Sequence, residues 1–196
     1  MIGETSDIRD TSFLNLLNVS QSITGVEESP TNAERCPQFV QIPGAQGRIC
    51  LWHFPSQKQL QDVAKQGCKC VVTLQSLNED PHMKLIPQIC QIEGMQWIQV
   101  SFWPNFYSHA GAEGHGALIK LIDEIATKVK NGEYVMLHCA AGIHRTGMCV
   151  YGVLRKLGLS QQQTLNCIRD LRRATFDHCG MDRFTEMESK IKVWFK

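Results

Sequence analysis

One stretch of this sequence places a cysteine, an arginine, a threonine and two glycines at short fixed offsets: His138-Cys139-Ala140-Ala141-Gly142-Ile143-His144-Arg145-Thr146-Gly147. A short apolar segment runs into it and an apolar helical pattern runs out of it, so the stretch reads as a loop joining a strand to a helix. Successive backbone N–H groups at such a junction curve around a single anion, and the helix N-terminus adds positive potential. Gly142 and Gly147 permit backbone geometry that a side chain would obstruct. A thiol has a pKa of about 8.5, which a helix N-terminus and a nearby cation lower to roughly 3.5–7.5. Cys139 is therefore expected to act as a thiolate nucleophile at the base of a phosphate cradle. Arg145 has a planar fork that can bind two phosphoryl oxygens. The Thr146 hydroxyl is placed to hydrogen-bond the sulfur and ease its departure. His138 is expected to fix the loop rather than to carry protons. His138, Ala140, Ala141, Gly142, Ile143, His144 and Gly147 complete the substrate-binding set. The ordinary alternative for Cys139 is a buried inert thiol, the common fate of such a residue.

The elements that must position this loop are legible around it. Residues 48–53, 68–74, 96–102 and 134–138 read as strands, the second as a buried one. Residues 56–66 read as a helix with an N-cap Ser56, and residues 81–92 as a helix closed by Gly94. Residues 113–131 carry Leu118, Leu121, Ile122, Ile125 and Val129 at helical spacing, with Gly132 as the stop. Residues 146–157 are apolar nearly all round, which predicts a buried helix. Ser160 with Gln163 forms a capping-box pattern for a helix through about Ala174. Phe184, Met187, Ile191 and Trp194 mark a last amphipathic helix. Strands alternating with helices predict an α/β fold, with a central, mainly parallel sheet of four to five strands flanked by helices. Ligands bind such sheets beyond the carboxyl ends of the strands.

The chain has 196 residues, 43% apolar and 20% charged, with a formal net charge of +1. That suits one globular domain and points to no bulk field for nucleic acid or anionic membrane. Residues 1–35 are polar, with one apolar patch at Phe13, Leu14, Leu16 and Leu17, and read as a partly ordered extension. Residues 36–196 form the expected domain. No run is long enough to span a membrane, and the pattern of a leader peptide or of myristoylation is missing. The nine cysteines are odd in number and several sit in apolar runs. Free thiols in a reducing compartment, cytosol or nucleus, explain that better than a disulfide framework. Cys68 and Cys70 are two apart, so on a strand they would share a face, a poor start for zinc. No metal or organic cofactor is implied.

The motif His-Cys-x2-Gly-x2-Arg-Thr-Gly resembles the signature of the cysteine-dependent protein phosphatases, and the chain looks like a small, dual-specificity-type member. The resemblance covers residues 40–196 and implies phosphoester hydrolysis through a cysteinyl-phosphate intermediate, on a phosphorylated protein or another phosphate ester. No Asn-Arg-Tyr phosphotyrosine-recognition segment is present, which implies a shallower pocket. The family also uses an Asp, often in Trp-Pro-Asp, to protonate the leaving oxygen. Here the segment is Trp103-Pro104-Asn105, so Asn105 stands at the general-acid position, 34 residues before Cys139. An amide cannot donate a proton as a carboxylic acid does, and general acid–base help contributes roughly a hundred- to ten-thousand-fold.

Four explanations stand open. Glu113, His109 or His115 serves as the acid, against the plainer reading that they are solvated loop or helix-start groups. The substrate has a good leaving group, such as a phosphoanhydride. The chain binds phosphorylated partners without fast turnover. Or Asn105 is an engineered change that traps substrate. Glu79 is expected to support the cysteine loop, as a Glu near this position does in small family members, and Asp123 to be a solvated helix residue. Ile143 stands where enzymes of the inositol pyrophosphate branch carry Lys before His-Arg, which argues against a highly anionic inositol or lipid substrate. Phosphatases of nucleotides or RNA 5′-phosphates carry related loops, but the near-neutral charge counts against nucleic acid. Arg169, Arg172 and Arg173 form a basic cluster that reads as a solvated face or as a receptor for acidic residues flanking a phosphosite. A disulfide between Cys139 and Cys50, Cys68, Cys70 or Cys149 is the redox alternative to their being core thiols.

Overall fold

The computed structural model describes residues 36–101 and 112–195, with side chains in the helix opening the second segment described from residue 116. Five strands form one sheet: β1 (Val40–Gln41), β2 (Arg48–Trp52), β3 (Cys68–Thr73), β4 (Gln96–Gln99) and β5 (Tyr134–His138), in the order β1-β2-β5-β3-β4. β1 is antiparallel to β2, and the other pairings are parallel. Among the described residues, seven α-helices flank the sheet: α1 (Gln57–Lys65), α2 (Leu85–Ile92), α3 (Ala112–Lys130), α4 (His144–Lys156), α5 (Gln161–Leu171), α6 (Arg173–Cys179) and α7 (Met181–Trp194). This is the mainly parallel α/β architecture expected from the alternation of strands and helices.

The chain steps outward from β2 through β3 to β4, then returns to lay β5 in the middle. Crossovers between parallel strands are right-handed. Reversing the direction of travel therefore moves the connecting helix to the other face. Two apolar clusters record this division. One holds Cys50, Trp52, Val71 and Met136 against Leu60 and Val63 of α1 and Ile86 and Cys90 of α2. The other holds Ile49, Leu51, Val72 and Leu137 against α3, α4 and the C-terminal helices. Alternate residues of each strand thus serve opposite faces, which is why the strands read as unbroken apolar runs. Truncating Leu154, fully buried on α4, would cost about 2–5 kcal/mol.

Local signals account for the helix boundaries. Ser56 with Gln59 and Ser160 with Gln163 both form complete capping boxes. Pro81–Lys84 is a 3-10 turn started by Asp80, whose carboxylate accepts from the His82 N–H, and the α-helix begins only at Leu85. The strand expected over 96–102 ends at Gln99. The helix expected to reach Ala174 breaks at Arg172, which is extended (φ −163°, ψ 110°), and α6 begins at Arg173. β1 carries no sequence signal at two residues in length.

Cys68 and Cys70 do not share a face. A β-bulge sets both of them against the consecutive pair Tyr134 and Val135 of β5. The extra residue flips the alternation, so Cys68 joins the α1–α2 cluster and Cys70 the α3–α4 cluster.

Candidate active site

β5 is the middle strand, and its carboxyl end delivers the chain straight into the cysteine loop. α4 begins at His144, two residues before its apolar run, so Arg145 and Thr146 sit in its first helical turn. No side chain caps this helix at Ile143, leaving its first amide groups for an anion.

The loop is held from outside by its carbonyls. Phe54 N–H donates to the Ala140 carbonyl at 2.9 Å. Arg172 Nη1 donates to the carbonyls of Ala141 and Gly142 at 3.2 and 3.0 Å, and Thr175 Oγ1 donates to Gly142 at 2.6 Å. All described peptides are trans. In a planar trans peptide the carbonyl and the next N–H point in opposite directions. Three carbonyls bound from outside therefore turn the amides of Ala141, Gly142 and Ile143 to the opposite side, as an anion cradle requires. Ala140 and Ala141 are exposed at its mouth.

Gly142 has φ +67°, and a Cβ there would lie 2.2 Å from the Trp52 carbonyl oxygen. The loop rests on the end of β2, and only glycine fits. Gly147 is required for a different reason. A Cβ there would meet Cys179 Sγ at 2.7 Å, so Gly147 lets α4 approach α6 closely.

Cys139 is 3% exposed, and Thr146 Oγ1 donates to its sulfur at 3.2 Å. Arg145 is 8% exposed and donates from Nη1 to both carboxylate oxygens of Glu79 at 2.8 Å. Glu79 also accepts from the Ser76 N–H at 2.7 Å. Desolvation pushes the Glu79 carboxyl up, but the Ser76 and Arg145 hydrogen bonds and the Arg145 charge outweigh it and hold the group below its ordinary pKa. Glu79 thus ends up bonded to the loop's arginine, as its expected supporting position implies.

His138 is fully buried, and its Nε2 lies 2.8 Å from Thr73 Oγ1. Desolvation, with the charges of His53 and Arg145, depresses its pKa to about 3 against the opposing pull of the Cys139 backbone. It is a neutral imidazole at physiological pH, in keeping with a fixing role. His144 is half-buried, and burial, then the nearby Arg183 charge, hold its pKa below the ordinary value.

The basic cluster divides. Arg172 binds the loop and lies over the Trp52 ring at 5.8 Å. Arg169 pairs with Asn166 and lies over Phe176, and Arg173 pairs with Asp177. The solvated-face reading holds for the exposed Arg169 and Arg173 and fails for Arg172. Arg172 and Thr175 are the positioning residues that sequence reasoning missed as such. Their signal was the helix break at Arg172, which no composition rule marks. Asp123 pairs with Lys156 at 2.8 Å on a half-exposed face. Asn105 and His109 lie outside the described residues. Glu113 and His115 fall in the first turn of α3, and their side chains lie outside the description as well.

The model of the tyrosine phosphatase family matches residues 55–166, more than half of the chain. The chain belongs to the tyrosine phosphatase family. Its fold is similar to that of the kinase associated phosphatase, solved with its catalytic-site cysteine replaced by serine, at a TM-score of 0.64 and 13% identity over 82% of this chain and 97% of that one. PTPMT1 is similar at a TM-score of 0.56 and 16% identity over 80% and 97%. The core catalytic domain of the PP-IP phosphatase SIW14 from S. cerevisiae, in complex with citrate, is similar at 0.55 and 19% over 76% and 83%. No curated protein matches the sequence. The strand–loop–helix geometry around Cys139 is therefore that of a cysteine-dependent phosphatase.

All nine cysteines are free, and all but Cys36 are buried. Burial pushes the Cys68 thiol up to about 11, and those of Cys70 and Cys149 up to about 12. Cys50 is raised as well, again by burial first. These four are core thiols here. Among the described residues no cluster of His, Cys, Asp or Glu could hold a metal ion, and no helix is long and apolar enough to cross a membrane.

Proposed function

We propose that the protein hydrolyses phosphate monoesters through a cysteinyl-phosphate intermediate on Cys139, as a dual-specificity-type phosphatase. The observation that carries this reading is the 3.2 Å hydrogen bond from Thr146 to the Cys139 sulfur, made at the floor of a loop whose carbonyls at Ala140, Ala141 and Gly142 are bound from outside. The Cys139 thiolate attacks phosphorus, the P–O bond to the leaving group breaks, and the leaving oxygen takes up a proton. Amides of the loop with Arg145 hold the three remaining oxygens as charge redistributes. Water then attacks phosphorus, the S–P bond breaks, and the Thr146 hydroxyl stabilises the departing thiolate.

Phosphorylated tyrosine, serine or threonine side chains are the proposed substrates. SIW14 is named a PP-IP phosphatase, and one PTPMT1 structure contains PI(5)P. This loop carries Ile143 beside a His144 whose proton affinity is depressed. Neither supplies the fixed cation that a polyphosphorylated inositol calls for. Buried free thiols support a reducing compartment, cytosol or nucleus.

A second reading, phosphate binding with slow turnover, is favoured by one residue: Asn105 at the general-acid position. Aryl phosphates of graded leaving-group pKa separate the two. For the hydrolase, the parent protein turns over the best leaving groups, Cys139→Ser abolishes turnover, and Asn105→Asp raises rates most for poor leaving groups, by roughly a hundredfold. No turnover on any aryl phosphate, with retained binding of a phosphopeptide, establishes the binding module instead. Full activity in Cys139→Ser would overturn the mechanism.

A further inference from the structure

Beside the cysteine loop, two basic side chains from different elements lie within reach of each other's charge. His144 opens α4, and Arg183 lies in the first turn of α7. The end of α6 brings them together. Cys179 packs against Gly147, and its sulfur lies 3.9 Å from the His144 carbonyl. Arg183 Nη1 donates to the Cys179 carbonyl at 3.0 Å. The guanidinium is therefore fixed to the residue that covers the first turn of α4. Among the described residues neither His144 nor Arg183 forms an ion pair, and Asp182, beside Arg183 in the chain, is exposed and pairs with neither.

Cations at the carboxyl end of α6 complement that end's partial charge, which amounts to about half a unit. Arg183 alone carries a full unit, and a protonated His144 adds a second. The two oppose one another. Burial first, then the Arg183 charge, with a further push from Arg145, hold the His144 pKa below its ordinary value despite the favourable His178 backbone. Arg183 Nε is buried without a hydrogen-bond partner, so the guanidinium is kept here at a cost. A bound anion would pair the guanidinium and relieve the repulsion.

We propose that His144 and Arg183 form a second anion subsite beside the cysteine loop, which takes a carboxylate or phosphate on a residue flanking the scissile phosphoresidue of a peptide. This rests on the reading of the loop as the seat of the scissile phosphate. His144 is next in the chain to Arg145, which holds that phosphate, and adjacent Cα atoms are about 3.8 Å apart. An anion at His144 therefore belongs to the same substrate, about one or two residues along. The receptor for flanking acidic residues, which the exposed Arg169 and Arg173 do not build, is thus supplied by α4 and α7. One fixed cation suits one further anion rather than a ring of phosphates.

Binding to the Cys139→Ser protein, which needs no turnover, tests the subsite. The probes are fluorescent phosphotyrosine peptides with alanine, aspartate or phosphoserine beside the phosphotyrosine, on either side in turn. The aspartate and phosphoserine peptides should bind roughly three- to tenfold more tightly than the alanine peptide. Adding Arg183→Gln should bring that ratio close to one, Arg183→Lys should keep part of it, and Arg173→Gln should leave it unchanged. Preference for both charged peptides supports a carboxylate site, and preference for phosphoserine alone a phosphate site. An anion favours the protonated His144 ring, so the aspartate-to-alanine ratio should grow as the pH falls from about 7.5 to about 5.5. The His144 titration midpoint, read by NMR, should rise on adding the aspartate peptide but not the alanine peptide, and this keeps the test open if Arg183→Gln does not fold. Equal affinities for all three peptides would overturn the subsite and leave the phosphate cradle standing. No binding of any phosphopeptide would overturn the cradle together with the subsite. Inositol hexakisphosphate that binds more tightly than every peptide, and loses this in Arg183→Gln, would give the site to a polyphosphate and overturn the peptide assignment.

Discussion

Both carboxylate oxygens of Glu79 lie 2.8 Å from a single nitrogen of Arg145, the Nη1 atom. Glu79 belongs to the segment after β3 and Arg145 to the first turn of α4, so the contact ties two separate strand ends to one guanidinium. The pair is largely buried, with side-chain exposures of 10% and 18%. A charge-assisted hydrogen bond contributes about 1.5–3 kcal/mol, which makes the geometry of Arg145 a property of Glu79.

Glu79→Gln should therefore lower kcat/KM roughly ten- to a hundredfold, the rate equivalent of that hydrogen-bond energy. Vanadate, as a phosphate analogue expected to bind in the same cradle, should bind more weakly by a similar factor. Steady-state kinetics with vanadate inhibition checks this, and an unchanged inhibition constant would show that the loop holds Arg145 without Glu79.

The two glycines of the loop should fail differently. Gly142→Ala forces a Cβ onto the backbone of Trp52 at φ +67°. The loop must then leave its position, and activity should fall below detection with or without loss of the fold. Gly147→Ala meets the end of a side chain, Cys179 Sγ, at 2.7 Å, and overpacking of this kind costs about 1–3 kcal/mol. Adding Cys179→Ala should recover part of that cost. A double-mutant cycle by urea denaturation measures the coupling, and strict additivity would contradict the contact.

Arg172 should stand apart from its neighbours. Arg172→Ala removes two bonds to loop carbonyls and should reduce kcat/KM about tenfold or more, with Arg172→Lys restoring only part because the planar fork is lost. Arg169→Ala and Arg173→Ala are exposed substitutions, expected to change stability by less than about 0.5 kcal/mol and activity by little. Equal effects from all three would return the cluster to a surface role.

Acid should weaken the fold through His138. Its folded pKa of about 3 lies below an unfolded value of about 6.5, so the unfolded chain binds the extra proton first. The stability tied to the neutral ring is complete above pH ~6.5 and is lost as the pH falls from there toward ~3, at about 1.4 kcal/mol per unit. Glu79, also depressed, acts with the same sign but only below its unfolded value of about 4.3. Between pH 7 and pH 5, urea denaturation should show a loss of about 2 kcal/mol from His138. His138→Asn should flatten that slope, while His144, likewise depressed, keeps its own share in both proteins. Parallel slopes would mean that His138 takes up a proton in the folded state.

The sequence by itself determined the cysteine loop, its strand–loop–helix setting and the alternation that makes the domain α/β. Those features are local. Six fixed residues within ten positions, a capping Ser with its Gln three residues on, and an apolar run bounded by Gly each carry a short-range physical cause. Cys139, Arg145, Thr146 and Gly142 were readable on that ground, and the parallel sheet followed from the spacing of its strands. What tertiary structure alone decided are the relations across strands and helices. The bulge at Cys68 and Cys70 depends on how β3 meets β5. Arg172 looked like one of three solvated arginines until the break before α6 aimed it at the loop. Thr73 carries no motif, and it reaches His138 only because β5 returns to lie beside β3. Backbone carbonyls and buried imidazoles take their partners through space, so a pattern along the chain specifies the nucleophile but not what holds it in place.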